Sequence, residues 1–392
     1  MHIDRMQLKN IRTFEEVNLN LSKGIHLITG DNASGKTNFL ETMHYIATTK
    51  SIQNRNDKNI ISWQVMQNSI LPIGKISAQI KTKKTNHEID MMFSKPIKES
   101  IANENPTKDR LTKNFRINGI TKKASEVIGT LRAIYASPND MQFILGTPAD
   151  RRKYLDILIS QYNNNYLKSL QKYNRILRQR NSLLKQIRSI KKRYNELDYW
   201  DNELATTAIE INFERMTNIN RLEQHAQHHY EILDKKGDLL SIKYRPSLST
   251  DLIEQASKKI SKDAFIAGIK KNRDIDLRQS TTTFGPHRDD ISVHLNELPA
   301  NAFGSRGQQK LITISLRLAE AYISNEVTGE QPVLLMDDIL SEFDQKHREY
   351  IVEHASYAEQ VFLTSPDLSN VPSSFIDKSM LFTINNGQLK KN

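Results

Sequence analysis

Apolar and polar positions alternate in short runs at the start of the chain. Ile3–Leu8, Val17–Leu21 and Ile25–Thr29 each read as a strand, the third leading into a glycine-bearing loop. After Lys36 the apolar spacing changes to threes and fours through Phe39, Leu40, Met43 and Ile46, which predicts a helix. Lys75–Thr82 and His87–Phe93 predict a hairpin pair, and Ile117-Asn118-Gly119-Ile120 a tight turn between short strands. The polar, aperiodic stretch Lys95–Lys113 reads as a loop. A long helix is expected from Thr147, which can cap it, with Pro148 at its first position and Asp150 at its positive end. Leu170, Tyr173, Leu177, Leu184 and Ile187 continue as a packed seam that Arg180 and Lys191 interrupt. Asn195–Trp200 reads as a bend, followed by a second helical run through Leu204, Ile209, Phe213, Met216, Ile219 and Leu222, then mixed helix to about Arg273. Thr283–Asp290 predicts a turn before a strand at Ile291–Leu295. A helix is expected from Gly307 through Leu311, Ile314, Leu318 and Tyr322, with buried strands at Val333–Met336 and Val361–Thr364.

This order implies an α/β fold whose two ends form one head around an inserted helical arm. The expected division is residues 1–146 and 274–392 for the head and 147–273 for the arm. With 392 residues the chain exceeds one ordinary domain. No apolar run approaches the length of a membrane span, and cysteine is absent, which excludes disulfides and thiolate metal sites. A soluble cytoplasmic protein without membrane contact is expected. Net charge is +11, and Asp150–Asp198 holds 13 Lys and Arg against 4 acids. Such a concentrated basic stripe suits a polyanion.

The chemistry is written at both ends. Gly30-Asp31-Asn32-Ala33-Ser34-Gly35-Lys36-Thr37, followed by Asn38, fits the phosphate-loop pattern in its strand–loop–helix context. The glycines let backbone N–H groups approach a β-phosphate, Lys36 supplies a cation to the β/γ-phosphates, and Thr37 offers a hydroxyl to Mg²⁺. ATP and Mg²⁺ are therefore the expected cofactors. The strand Val333–Met336 ends in Asp337 and Asp338. Asp337 would hold Mg²⁺, directly or through water, and Asp338 would orient or deprotonate the attacking water. Ser305-Arg306-Gly307-Gln308 opens a helix and forms a second anion-facing terminus. One site needs only one such cradle of each kind, so Ser305, Gly307 and Gln308 are expected to serve the nucleotide of a second subunit. His225, His228 and His229 have helical spacing that could bind metal, although a solvated helix face is the plainer reading.

The order of these motifs resembles that of ATP-binding-cassette ATPases. Leu8-Lys9-Asn10-Ile11-Arg12 looks like the N-terminal segment of SMC-type and Rad-type DNA-repair ATPases, a resemblance that brings Arg12 to the nucleotide. Ser341-Glu342-Phe343-Asp344 resembles their D-loop. The full set, with Ser137–Asp156 and Phe284–Asp290 (F-G-P-H-R-D-D), resembles the bacterial RecF family of recombination and replication-repair ATPases, from Met1 to about Asn386. Ala33 stands where that family usually has glycine, and Gly304 replaces its usual apolar residue. The resemblance implies a weak DNA-dependent ATPase of ABC type, dimerising on ATP, that binds double-stranded DNA and single/double-strand junctions. It also implies recombinase loading with RecR and RecO mediator proteins, and a cytoplasmic, nucleoid-associated location. Alternatives are an SMC-like ATPase of the overcoming-lysogeny type, or a DNA-binding scaffold with weak ATPase activity.

Overall fold

A computed structural model describes residues 1–52, 57–95, 111–138, 140–190, 194–247, 261–385 and 387–392. The chain forms two compact units, Met1–Asp140 with Arg317–Asn392, and Met141–Leu316. Among the described residues no helix is long and apolar enough to cross a membrane.

The first unit begins with β1 (His2–Ile11), β2 (Phe14–Asn20) and β3 (Gly24–Thr29), then α1 (Lys36–Thr48). It continues through β4 (Ile73–Lys81), β5 (Asn86–Ser94), β6 (Thr112–Ile117), β7 (Ile120–Lys122) and β8 (Ala133–Ala136). The expected loop at Lys95–Lys113 lies mostly outside the described residues, and its end, Thr112-Lys113, already belongs to β6.

The second unit holds α2 (Pro148–Tyr162), α3 (Asn164–Ile190), α4 (Glu196–Asp234), β9 (Leu240–Arg245), α5 (Lys262–Lys271), α6 (Arg273–Gln279), β10 (Asp290–Leu295) and β11 (Leu298–Pro299). The chain returns along α7 (Arg306–Thr328) to β12 (Val333–Asp337), α8 (Gln345–Ala355), β13 (Gln360–Ser365), β14 (Ser379–Asn385) and β15 (Gln388–Lys391).

Within the first unit, an antiparallel sheet of order β2-β1-β4-β5-β6-β7 and a second sheet of order β15-β14-β3-β13-β12-β8 share one core. Strand β1 alternates as a half-buried strand should, with Met6 and Leu8 inside and Lys9 outside. Strands β12 and β13 are buried throughout, as expected for parallel strands covered on both faces. Helix α1 is buried along most of its length, with Phe39 edge-on to Phe14 of β2 and Tyr45 edge-on to Phe93 of β5. The parallel register pairs Asp337 with Thr364 and Ser365 with Thr29, which aligns the strand ends carrying the candidate chemistry.

A histidine lies inside that sheet. His26 of β3 is fully buried, stacks on Phe362 at 4.5 Å, and neither ring nitrogen has a hydrogen-bond partner. Burial lowers its pKa to about 4. An unfolded chain protonates this histidine near pH 6.5 while the folded one does not, so its stabilising contribution is complete above 6.5 and falls as pH drops towards 4. The loss amounts to about 3 kcal/mol over that window. His26→Phe, which keeps a ring in the stack, is expected to shrink the difference between urea midpoints at pH 7 and pH 4.5; an unchanged difference would show that other groups set the acid sensitivity.

In the second unit α3 and α4 run antiparallel, as the pairs Ser169–Glu210, Lys172–Glu203 and Arg180–Asp201 show. The expected bend at Asn195–Trp200 is largely the first turn of α4, which starts at Glu196. Arg180 does not interrupt the seam either. Its side chain is fully buried between Asp201 and Asp276, so the cation is neutralised inside the packing; Lys191 lies outside the described residues. The mixed helix expected to reach Arg273 contains a strand, because β9 pairs antiparallel with β10 from Leu240–Leu295 to Arg245–Asp290. That pairing joins the return strand to the arm sequence, so this compact unit continues past Arg273 to Leu316.

Candidate functional site

The phosphate loop leaves β3 at Thr29 and enters α1 at Lys36. Gly30 has φ 151°, and a Cβ there would lie 2.3 Å from the Ile384 carbonyl oxygen, so only glycine fits. Ala33 takes φ 66°, a left-handed conformation that costs an L-residue on the order of 1 kcal/mol. Asp31, Asn32 and Ala33 are exposed on the loop's outer side. Gly35 precedes α1 with no side-chain cap, and no acid occupies the first turn, so the N–H groups at this end remain directed outwards. Lys36 Nζ donates to the carbonyl oxygens of Gly30 at 2.6 Å and Asp31 at 2.8 Å. Burial lowers the Lys36 pKa, opposed by the carboxylates of Asp338, Asp337 and Asp31. Ser34 Oγ is buried without a partner. Thr37 lies in the first turn, and Asn38 Nδ2 donates to Thr13 Oγ1 at 3.3 Å.

The acidic pair belongs to the same unit. Asp337 ends β12, with Oδ2 accepting from the Tyr135 hydroxyl and Oδ1 from Thr364 Oγ1, each at 2.8 Å. Asp338 has φ 48°, and its N–H donates to Thr364 Oγ1 at 2.9 Å. Its Oδ1 is buried and unpartnered, and burial, reinforced by Asp337, raises its pKa. Glu41 lies on α1 with Oε1 buried and unpartnered; burial raises its pKa although Arg12 opposes the shift. The Arg12 guanidinium is shared among Glu41 Oε2 at 3.3 Å, Ser51 Oγ at 3.0 Å and the Asn59 carbonyl at 3.1 Å. Open helix N–H groups, a buried lysine, an orphaned hydroxyl and an orphaned carboxylate oxygen are a donor set that fits a nucleotide phosphate with a divalent cation.

Tyr135 and Glu41 are site residues that motif reading misses. Their signal is topological: β8 lies beside β12, and the short apolar segment Ala133–Ala136 carries no pattern of its own.

Ser305, Gly307 and Gln308 open α7 in the second unit. Ser305 Oγ accepts from the Gln308 N–H at 3.2 Å, while Gln308 Oε1 accepts from the Ser305 N–H at 2.9 Å, a reciprocal cap. Gln308 Nε2 also donates to Asp238. The Phe284–Asp290 segment has a packing role. His287 Nε2–H donates to the Thr282 carbonyl at 3.0 Å, leaving Nδ1 to accept from the Tyr173 hydroxyl at 2.6 Å, and burial lowers its pKa to about 4. Asp289 accepts from the Tyr244 hydroxyl and the Ser247 N–H, and Asp290 pairs with Arg151 through both carboxylate oxygens. Arg288 is exposed. No metal-binding group of three or more His, Cys, Asp or Glu occurs among the described residues; His229 is buried, so His225, His228 and His229 do not form one solvated face.

Residues 2–380 match the family described as the RecF/RecN/SMC N terminal domain. The chain is 32% identical over 392 residues to the DNA replication and repair protein RecF of Herpetosiphon aurantiacus, covering 99% of each chain. A solved structure of the recombination mediator protein RecF with ATP, in the RecFOR pathway, is similar with a TM-score of 0.86 at 26% identity, covering 100% of this chain and 97% of that one. An Smc head domain from Pyrococcus furiosus shares the fold, with a TM-score of 0.51 at 14% identity, covering 100% of this chain and 96% of that one. By motif order, site geometry and full-length similarity, the chain belongs to the RecF family, with the α/β ABC-type ATPase head fold that this family shares with SMC proteins.

Proposed function

We propose that this chain is a DNA-binding ATPase of recombinational and replication-gap repair, two copies of which close on ATP and grip DNA. The observation that carries the DNA reading is a row of cations without counter-charges. Helix α3 contains seven Lys and Arg and no acid, whereas α4 contains nine acids and two arginines. The acids of α4 are largely engaged within the unit. Glu203 pairs with Lys172, Asp201 with Arg180 and Arg273, and Glu223 accepts from the Ile242 N–H. On the outer face of α3, Lys168, Arg175, Arg178 and Lys185 are exposed and form no ion pair among the described residues. They span roughly 26 Å of helix at 1.5 Å per residue. Besides Lys172, which pairs with Glu203, the exposed positions between them are Asn, Gln and Ser and none is aromatic, which suits phosphate contact rather than base stacking.

In the ATP site Lys36 contacts the phosphates, Thr37 and Asp337 hold Mg²⁺, and Asp338 orients the attacking water. When bound, Mg²⁺ would supply positive charge to offset that developing on the phosphates. Ser305, Gly307 and Gln308 complete the site of a second copy. Arg12 acts from the edge of the loop, where Glu41 holds it. Hydrolysis is weak and DNA-dependent and resets the dimer. The protein works with RecR and RecO mediator proteins in the cytoplasm, at the nucleoid; the RecFOR context of the similar structure supports the mediator partners. Residues 147–273 supply the arm.

Binding of the wild type to a gapped duplex, with ATP, is expected to fall steeply with salt. In Lys168→Glu/Arg175→Glu/Arg178→Glu the affinity at low salt should drop about 100-fold or more, and the slope of log K against log salt should lessen by about 3. Fluorescence anisotropy over a salt series reads both. Unchanged affinity and slope would remove α3 as the DNA face.

A further inference from the structure

We propose that Tyr135 is a positioning residue for the metal-holding carboxylate, fixing Asp337 so that Mg²⁺ couples to bound ATP; this rests on the assignment of Asp337 to the metal. Strands β8 and β12 run parallel with Tyr135 beside Leu335, so the tyrosine approaches Asp337 from the neighbouring strand. Its hydroxyl donates to Oδ2 at 2.8 Å, while Thr364, from the strand on the other side, donates to Oδ1 at 2.8 Å. The carboxylate is thus held from both flanks and its plane is fixed. An ionised carboxylate has about four acceptor directions, so two remain for a cation or its water.

The two hydroxyls are themselves anchored. Thr364 Oγ1 also accepts from the Asp338 N–H at 2.9 Å, which ties the second acid to the same clamp. The Tyr135 ring is 5% exposed and meets His44 of α1 edge-on, with ring centroids 5.9 Å apart. Tyr135 therefore links the phosphate-loop helix to the acidic strand end through one rigid side chain. A phenylalanine would keep that packing and remove only the donor to Oδ2. Loss of a hydrogen-bond partner to a metal-holding group typically costs 10- to 100-fold in metal affinity.

The test is Tyr135→Phe, read by equilibrium binding of a fluorescent ATP analogue in EDTA and across a Mg²⁺ titration, with thermal melting to establish a folded protein. The expected result is metal-free binding within about twofold of wild type, and a Mg²⁺ midpoint raised about tenfold or more. Thr364→Val should raise the midpoint in the same way, and Thr364→Ser, which restores the hydroxyl, should return it. An unchanged midpoint in Tyr135→Phe overturns the proposal, as does an equal loss of binding with and without Mg²⁺, which would mark a packing role. A wild-type protein indifferent to Mg²⁺ would instead overturn the metal assignment and this proposal with it.

Discussion

Lys36→Met is expected to abolish ATP-driven dimerisation while leaving the fold intact. The Lys36 ammonium is 2.6 Å and 2.8 Å from two loop carbonyl oxygens, so it is already positioned at the mouth of the loop. Asp338, Asp337 and Asp31 counter the effect of burial on its charge. Methionine fills a similar length but supplies neither the charge nor the donors. Each charge-assisted hydrogen bond contributes about 1.5–3 kcal/mol, so losing the contacts to two phosphate groups should weaken ATP binding about 100-fold or more. The carbonyls of Gly30 and Asp31 lie on partly exposed or exposed residues and can turn to water, which spares the fold. Sedimentation velocity with and without ATP checks the result. A Lys36→Met protein that still dimerises with ATP would sink the ATP-driven closure of two copies, including the assignment of Ser305 and Gly307 to the nucleotide of a second copy.

The phosphate loop was legible because its chemistry is local: glycines, lysine and threonine at fixed spacing between a strand and a helix. Asp337 and Asp338 were legible because a buried apolar strand ends at them. Tyr135 was not, since its partner lies 202 positions away and only the β8–β12 register brings the two together. Strand β9 was missed for a related reason. Its residues, Leu240–Arg245, alternate apolar and polar, but the run is only six residues long and follows the 39-residue α4, and its partner β10 lies beyond α5 and α6. Net charge marks Asp150–Asp198 as basic, but periodicity cannot show that the acids of α4 are largely engaged internally while the outer cations of α3 are not. Arg180 illustrates the same limit. A cation at a seam position reads as an interruption unless its carboxylate partners can be seen, and Asp276 is 96 residues away.

The largest structural effect is expected from Arg180→Met. The guanidinium has no exposed surface; Nε donates to Asp201 Oδ1 at 2.7 Å, and Nη1 to Asp276 Oδ2 at 2.6 Å and Thr282 Oγ1 at 2.8 Å. One side chain thus joins α3 to α4, to α6 and to the segment leading into Phe284. Methionine fills much of the volume but leaves Asp276, also fully buried, without its cation. Removing one member of a buried ion pair costs about 3–5 kcal/mol, because the remaining charge is uncompensated. Asp201 loses less, since Arg273 still donates to it. That asymmetry gives an internal control. In Arg180→Met/Asp276→Asn the orphaned charge is gone, while the oxygen of the introduced amide can still accept from the Thr283 N–H and hydroxyl, as Asp276 Oδ1 does. The double variant should recover about 2 kcal/mol of the loss, a coupling within the range for residues of one network. Two units need not unfold together, so the measurement must report the second alone. The chain's two tryptophans make this practical: Trp200 packs beside Leu183, Leu184, Ile187 and Leu197, and Trp63→Phe removes the other. Urea unfolding followed by Trp200 fluorescence should give a lower midpoint for Arg180→Met and partial recovery in the double variant. Equal midpoints would show that apolar packing along the α3–α4 seam, rather than its buried charge, holds the arm together.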